Sequence, residues 1–450
     1  MKANTIDMTK GIYYKVIIAF AIHVFFSNLF QQLYNSVDAL IVGNFLGKNS
    51  LAAVSSSGNL IFLFTSFFVG TASGISVLIA KYFGEKNYED LRKAIHTGIA
   101  LGLVCAVILT ILGVAFTPFM LKIMKTDAEV LPESIKYFRY FFLGISGTVM
   151  YNIFNGILNA LGNSKRSLYY LIFSSLLNIV LDLLFIGVFK MGVEGAAIAT
   201  AIAQVTSAIL CLLFLIRKGT IYQVNLNEVK FDKKMLKLIL KYGVPAGVQN
   251  SVIALANVFV QSNINTFGND AMAGCGTYSK LEGFAFLPVT CFTMALTTFV
   301  GQNLGAKKYE RAKKGATFGV VCSLLLAEVI GVLMFFFMPY LARLFSDDIN
   351  VINIASKQAK TICLFYFLLA FSHCIAAICR GAGKAIVPMI VMLAIWCVLR
   401  VTYINIAMSI AHEIRLVFLA YPLTWFISSI IYFIYYKCSD WVHGFEKKEM

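Results

Sequence analysis

Long apolar stretches dominate the pattern of hydrophobic and polar positions along this chain, and short polar connections separate them. Most stretches hold about 20 residues or more, enough for an α-helix to cross a hydrocarbon core of about 30 Å. The pattern predicts twelve transmembrane helices, numbered here as spans 1 to 12, at residues 16–42, 51–80, 95–117, 137–161, 168–189, 193–216, 238–265, 272–300, 316–341, 359–379, 385–410 and 416–436.

The composition agrees with a chain that faces lipid. Of its 450 residues, 59% are hydrophobic and 13% are charged, whereas soluble domains carry about 25% charged residues. Span 1 follows Lys10 and Lys15 and is longer than the apolar core of a signal peptide, with no small-residue cleavage pattern behind it. We therefore predict an all-α integral membrane protein that keeps its first span and has the lipid bilayer as its main partner.

The net charge of +16 is distributed unevenly between the connections. With the N- and C-termini placed in the cytoplasm, 26 of the 38 Lys and Arg residues fall on the cytoplasmic side. This asymmetry is the positive-inside rule of membrane proteins and requires no polyanionic ligand. We predict cytoplasmic termini and no binding of nucleic acid.

The chain contains an internal repeat with an offset of 221 residues. The loop at residues 84–93, G-E-K-N-Y-E-D-L-R-K, aligns with residues 305–314, G-A-K-K-Y-E-R-A-K-K. Because each half has six spans, both halves enter the membrane from the same side, so the repeats are parallel. We predict two pseudo-symmetric six-helix bundles at residues 1–216 and 238–450, joined by a cytoplasmic linker at 217–237.

Polar residues follow single helical faces of four spans in the first half. Gln31, Asn35 and Asp38 form a stripe on span 1, and Asn178 and Asp182 lie one turn apart on span 5. The stripes on spans 4 and 6 comprise Asn152, Asn155, Asn159, Thr200, Gln204 and Ser207. Amides and hydroxyls of this kind also join membrane helices, at roughly 0.6 kcal/mol per hydrogen bond, and that alternative stays open for them.

The two aspartates require a different explanation, because a charge at the centre of a membrane helix costs about 2.5–3.5 kcal/mol. No Lys or Arg lies at membrane depth in the first half to pair with Asp38 or Asp182. At the 221 offset these acids correspond to Phe259 and Tyr403. A purely architectural role would be expected in both halves, so the difference favours a site for a bound cation or a proton.

The second half has weaker signals. Glu282 and Arg400 are candidates for an intramembrane ion pair, although such pairs are not by themselves a sign of function. No nucleotide-binding loop, catalytic motif or metal-spaced Cys/His cluster occurs in the sequence. We therefore expect no enzymatic activity, no cofactor, and no metal beyond a possible Na⁺.

Several segments resemble the MATE (multidrug and toxic compound extrusion) antiporters, in particular their prokaryotic DinF-like branch. They are Q-Q-L-Y-N-S-V-D-A-L-I-V-G-N-F-L-G in span 1, the N-x-x-x-D of span 5, and the paired loops Y-F-G-E-K-N-Y and V-G-Q-N-L-G-A-K-K-Y-E-R-A. The resemblance covers essentially the whole chain. It implies a cation site formed by Asp38, Asn178, Asp182 and Thr200. It also implies an adjacent substrate cavity, for which the candidates are Gln31, Asn35, Asn152, Asn155 and Gln204.

The function expected from these observations is export of amphipathic, often cationic compounds in exchange for H⁺ or Na⁺, by alternating access, in a prokaryotic plasma membrane. No obligate protein partner is implied. Span 7 lacks the acid that carries the coupling ion in another branch of the family, so the resemblance does not extend to coupling in the second half. Two alternatives remain: a flippase for lipid-linked precursors from the same superfamily, and a channel or scaffold without turnover.

Overall fold

The computed structural model describes residues 6–123 and 130–446. In this part of the chain, all regular structure is helical. The helices are α1 (Tyr13–Leu46), α2 (Lys48–Glu85), α3 (Tyr88–Ile123), α4 (Leu131–Leu143), α5 (Ile145–Ala160), α6 (Ser164–Asp182), α7 (Val193–Leu215), α8 (Lys233–Asn265), α9 (Asn269–Ala285), α10 (Leu287–Gly305), α11 (Tyr309–Ala342), α12 (Ile349–Ile362), α13 (Tyr366–Gly381), α14 (Ile386–Val391), α15 (Arg400–Ile410) and α16 (Ile414–Cys438).

Among these described residues, ten helical segments are long and apolar enough to cross a membrane, and two bent helix pairs bring the number to twelve. The predicted twelve-span, all-α class is confirmed. The bends were not predicted: α4 and α5 meet at 48°, and α9 and α10 meet at 42°. Pro288 stands in the first turn of α10, where a proline needs no intrahelical hydrogen bond and begins a new helix readily.

Two stretches of π-helix interrupt the regular helices. One, Leu183–Val188, follows directly on α6, and the other, Met392–Leu399, joins α14 to α15. They lie in spans 5 and 11, which correspond at the 221 offset. A π-helical turn inserts an extra residue into the helical ladder and is frequent at functional sites.

The internal repeat is visible in the backbone at its tightest turns. Lys86 and Lys307, which correspond at the offset, have φ angles of 57° and 56°. The next amide in each turn donates to the residue five positions earlier: Asn87 N–H to the Tyr82 carbonyl at 3.1 Å, and Lys308 N–H to the Asn303 carbonyl at 2.8 Å. The same backbone geometry in both halves agrees with duplication.

The chain separates into two compact units. Unit 1 comprises the described residues of Met1–Asp7 and Phe26–Gly243, and unit 2 those of Met8–Phe25 and Val244–Met450. The chain therefore passes from one unit to the other within α1 and again within α8. The cytoplasmic linker at 217–237 stays a prediction. In unit 1, α5 packs against α2, α3 and α7; in unit 2 its counterpart α13 packs against α10, α11 and α16.

The segment before α1 is bound to unit 2 through its backbone. Met8 N–H donates to Gln302 Oε1 at 3.0 Å, and its carbonyl accepts from Asn303 Nδ2 at 3.1 Å. Lys308 Nζ donates to the Thr9 carbonyl at 2.7 Å, and Arg311 donates to the carbonyl oxygens of Met8, Lys10 and Gly11. We call residues 8–11 the amino-terminal arm.

Polar side chains of unit 1 likewise bind the linker before α8, although through other positions of the repeat. Asn225 N–H donates to His96 Nε2 at 3.0 Å, and Asp232 N–H donates to Thr97 Oγ1 at 3.2 Å. Arg92 forms an ion pair with Glu228 at 3.3 Å. Residues 8–11 correspond to 229–232 at the offset, so each half begins with a segment bound by polar side chains.

Candidate functional site

Asp38 and Asp182 come together in unit 1. Asp182 is the last residue of α6, at the point where the helix changes to π-geometry, and it is fully buried. Asp38 is half-buried on α1, and its carboxyl group lies within hydrogen-bonding reach of that of Asp182. Two residues that are 144 positions apart in sequence thus form a carboxyl pair.

Three of the four carboxyl oxygens of the pair lack a hydrogen-bond partner in the described structure. Within the described residues, Asp38 Oδ1 and both carboxyl oxygens of Asp182 are buried without a partner. Two carboxylates this close repel each other, and neither can donate to the other unless a proton is shared. Buried polar groups are normally hydrogen-bonded, so unpartnered oxygens of this kind require an explanation such as an ion or a proton.

The helices next to the pair supply further oxygen atoms. Asn178, one turn before Asp182, donates from Nδ2 to Thr200 Oγ1 on α7 at 3.4 Å. Its amide is oriented so that Oδ1, which has no partner among the described residues, remains a free acceptor. Carboxylate, amide and hydroxyl oxygens are hard ligands that suit a cation such as Na⁺. The described residues hold no group of three or more His, Cys, Asp or Glu side chains that would suit a metal ion.

An apolar cluster surrounds this part of the unit. Ile41 and Val42 of α1 pack with Ile186 of the π-helical stretch and with Val193 and Ala197 of α7. These side chains are buried, so they keep the local dielectric low and strengthen the electrostatic interactions of the carboxyl pair.

Two tyrosines belong to the site, although the sequence reasoning missed them. Tyr34 is buried one turn before Asp38, and its hydroxyl accepts from Gln204 Nε2 at 3.2 Å. Gln31 also bonds to the Tyr34 hydroxyl. Tyr137 of α4 is buried in the same cluster. Tyr34 could have been found, because it lies on the Gln31–Asp38 face of the helix, whereas nothing in the spacing around Tyr137 marks it.

The asparagines of span 4 have other surroundings. Asn152 donates from Nδ2 to the Thr148 carbonyl at 2.8 Å and lines a small cavity between α2, α3 and α5. Asn155 Oδ1 accepts from Asn159 Nδ2 at 2.9 Å and from the Ser167 hydroxyl, which ties α5 to α6. No hydrogen bond found among the described residues links these amides to the carboxyl pair.

The remaining candidates for the substrate cavity, Gln31, Asn35 and Gln204, differ in their surroundings. Gln31 and Gln204 meet at the Tyr34 hydroxyl, close to the pair, while Asn35 is exposed on α1. Asn35 therefore does not share the buried surroundings of Asp38. The assignment of all five residues to a substrate cavity stays a prediction.

In unit 2 the expected ion pair is not formed. In the described part of the chain, no carboxylate oxygen lies within the 4.0 Å ion-pair distance of Arg400. Arg400 instead donates to Thr424 Oγ1, from Nη2 at 2.7 Å and from Nε at 3.3 Å. The Glu282 carboxyl accepts hydrogen bonds from Tyr278 and Tyr366, each at 3.2 Å. The charges interact through space, but hydroxyl groups satisfy each of them separately.

Comparison with known proteins decides the family. The sequence profile of the MatE family matches residues 24–184 and again 245–406. This chain belongs to the MatE family. The two matches begin 221 residues apart, which is the offset of the internal repeat. Members of this family are membrane transporters, so the protein is a transporter and not an enzyme.

Three relatives cover between 68% and 93% of this MatE chain. The probable multidrug resistance protein YoeA of Bacillus subtilis is 28% identical over 93% of this chain and 92% of its own length. The probable multidrug resistance protein NorM of Thermotoga maritima is 26% identical, over 85% of this chain and 83% of its own length. A FAD transporter of Shewanella oneidensis is 24% identical over 68% of this chain and 69% of its own length.

Among solved structures, an outward-facing multidrug resistance MATE transporter of the MOP superfamily has a TM-score of 0.90. It is 22% identical and covers 100% of both chains. At this identity the likeness establishes the shared fold alone.

Proposed function

We propose that the protein is a secondary active multidrug efflux transporter that exports amphipathic, often cationic organic compounds in exchange for H⁺ or Na⁺. The observation that carries the proposal is the Asp38–Asp182 pair, in which Asp38 Oδ1 and both Asp182 oxygens are buried without a hydrogen-bond partner within the described chain. The multidrug resistance names of relatives that align along most of the chain support the substrate class.

The pair binds the coupling ion. A proton shared between Asp38 and Asp182, or a Na⁺ held by both carboxylates, relieves the repulsion that an unoccupied pair would suffer. The Asn178 amide oxygen and the Thr200 hydroxyl complete the set of oxygen ligands. The chemistry of these groups suits either ion.

Coupling follows from the position of the pair between helices. Asp38 lies on α1 and Asp182 at the end of α6, with Thr200 on α7, so occupancy by an ion changes how strongly α1 is held against α6 and α7. An ion shifts a conformational equilibrium only through its differential affinity for the two states. We propose that ion binding draws α1 inward, contracts the cavity of unit 1 and expels the drug.

Alternating access of the duplicated halves completes the transport cycle. Repeated transporter halves commonly move as two bodies around binding sites. Spin labels placed in pairs, one label on each unit, should show distances that change in opposite senses near the two membrane surfaces when ion or drug is added. Distances that respond to neither, in a preparation shown to transport, contradict alternating access.

The experiment that tests the function is flux in proteoliposomes. The reconstituted protein should take up ethidium-like dyes with saturation, driven by an imposed gradient of H⁺ or Na⁺. A channel conducts without saturable exchange, and a scaffold conducts nothing. Movement of lipid-linked sugars with no movement of dyes would favour the flippase alternative.

A further inference from the structure

Four basic residues lie at one end of the neighbouring helices α6 and α7 in unit 1. Lys165 and Arg166 stand in the first turn of α6, and Arg217 and Lys218 follow the end of α7. All four side chains are exposed. Residues 161–181 and 195–227 contain no Asp or Glu, and in the described structure neither arginine has a carboxylate within the 4.0 Å ion-pair distance. Positive charge is thus concentrated here and accessible to a ligand.

The two arginines converge on one aromatic ring, although they are 51 positions apart in sequence. The guanidinium carbon lies 5.4 Å from the centre of the Phe214 ring for Arg166 and 5.5 Å for Arg217. Phe214 is buried and stacks on the buried Tyr222, with 6.0 Å between the ring centres. An aromatic ring attracts a cation that lies against it. The stacked rings therefore support both guanidinium groups next to each other.

An exposed apolar stripe runs along each helix from its arginine. The side chains of a stripe are three or four positions apart, so they share one face of the helix. The stripe on α6 comprises Tyr169, Phe173, Leu176 and Val180, and the stripe on α7 comprises Ile202, Val205, Ile209 and Leu213. Exposed apolar surface of this extent marks an interaction with lipid or with a partner. In both predicted spans, an apolar surface thus ends at a guanidinium group.

The second half lacks this arrangement. At the 221 offset, Arg166 corresponds to Val387 and Arg217 to Cys438. The positive-inside rule accounts for basic residues on the side that is predicted to be cytoplasmic. It does not require two of them on one ring, and a part of the duplicated architecture would be expected in both halves. The asymmetry favours a specific ligand of unit 1.

The chemistry of these groups suits a phosphate attached to an acyl chain. Arginine binds phosphate oxygens through parallel hydrogen bonds, and basic pockets between membrane helices on the cytoplasmic side bind phospholipid head groups. Lys165 and Lys218 would repel the ammonium group of a zwitterionic lipid. An anionic head group carries no such cation, so this end of unit 1 should prefer it.

From these contacts we infer that α6 and α7 form a specific binding site for an anionic phospholipid. Arg166 and Arg217 bind the phosphate of its head group, and its acyl chains lie along the two apolar stripes. In the predicted orientation the lipid belongs to the cytoplasmic leaflet. The site is separate from the Asp38–Asp182 pair and does not depend on which compound the protein exports.

Lipid binding to the purified full-length protein in detergent tests this site. Native mass spectrometry measures the affinity for the first bound molecule of phosphatidylglycerol, and of phosphatidylcholine with the same acyl chains. We expect the wild type to bind phosphatidylglycerol at least fivefold more tightly. The double variant Arg166→Gln/Arg217→Gln should lower this preference to less than twofold, because it removes the phosphate donors and retains the apolar stripes.

Matched variants separate a specific site from attraction by overall charge. Lys233→Gln/Lys237→Gln removes two exposed charges one turn apart on α8 and should keep the wild-type preference. The single variants Arg166→Gln and Arg217→Gln should each lower the preference at least twofold. Each changes one exposed side chain, so the single variants decide the question if the double variant does not fold.

The outcomes are distinct. Loss of the preference in the arginine variants alone supports the site. Equal loss in the lysine and arginine double variants, or a wild type without a preference, overturns it. The deacylated head group glycerophosphoglycerol, added at the same concentration as the lipid, should not displace phosphatidylglycerol. Displacement would identify a site for a free phosphodiester and overturn the assignment to a lipid.

Discussion

Asn178 donates its amide hydrogen to the Thr200 hydroxyl across α6 and α7, at 3.4 Å. The contact orients the Asn178 amide, whose oxygen has no partner in the described structure and lies on the helix one turn before Asp182. Thr200 therefore orients a candidate ligand of the coupling ion. We expect Thr200→Val to weaken coupling-ion binding about fivefold, which is the effect of losing about 1 kcal/mol of hydrogen bonding. Thr200→Ser keeps the hydroxyl and should bind as wild type does. The ion concentration that gives half-maximal dye export measures the effect, and equal behaviour of both variants contradicts it.

Removing one carboxylate should abolish coupling without unfolding the protein. Asp38→Asn deletes a charge with little change in volume, so the helix packing around it is retained while ion binding is lost. Drug resistance and dye export should fall to the level of cells without the transporter, at matched expression. Asp347→Asn removes an acid from an exposed position between α11 and α12 and serves as the control. Wild-type export by Asp38→Asn excludes this residue from the coupling site.

Exchange of ions at the pair should be visible without any drug. If Asp38 and Asp182 share a proton, Na⁺ that enters the pair displaces it. Adding Na⁺ to the protein in weakly buffered nanodiscs should then release protons, detected with a pH-sensitive dye. The double variant Asp38→Asn/Asp182→Asn should release none. Equal release from that variant places the proton elsewhere, and no release from the wild type excludes competition between the two ions at this pair.

Close packing of α2 on the start of α8 should be sensitive to a single methyl group. A Cβ at Gly74 would lie 2.4 Å from the Gly243 Cα, within unit 1. Gly74→Ala should therefore lower the stability by about 1–3 kcal/mol, because backbone atoms must move apart. Gly276→Ala is the matched control, since nothing lies within 4 Å of its Cβ, and it should leave the melting temperature unchanged or raise it. Thermal unfolding in detergent compares the two, and equal melting temperatures contradict the packing argument.

The sequence predicts the spans and the repeat well because both depend on strong, simple signals. Apolar length determines where a helix can cross a membrane, and the 221-residue register recurs in the turns at Lys86 and Lys307. The bend between α4 and α5 has no signal of this strength, and the bend between α9 and α10 is marked only by Pro288 in the first turn of α10. The sequences on both sides of each bend are apolar, so hydropathy does not reveal the change of direction.

The candidate site is predicted only in part, for reasons that differ among residues. Asp38 and Asp182 are conspicuous because carboxylates are rare in apolar spans, and the fold brings them together. Tyr34 is missed because an aromatic residue in a membrane helix is ordinarily attributed to lipid or core contact. Nothing in the sequence of span 4 shows whether its asparagines line a cavity or join helices. In the structure, Asn155 accepts hydrogen bonds from Asn159 and Ser167 between packed helices. The sequence suggests an ion pair between Arg400 and Glu282. In the structure, hydroxyl groups form hydrogen bonds with each of the two side chains separately.

The amino-terminal arm has a consequence for the order in which the chain is made. The ribosome produces Met8 to Gly11 almost 300 residues before Gln302 and Arg311, the side chains that bind this backbone. At about 5–20 residues per second, the arm waits on the order of 15–60 s for its partners. Unit 2 also includes Met8–Phe25, so the first segment to leave the ribosome is built into the half that is synthesised last. A nascent chain that has completed only its first six spans therefore already contains residues 8–25 of unit 2. Unit 2 can assemble only when these early residues meet the segments that are synthesised last.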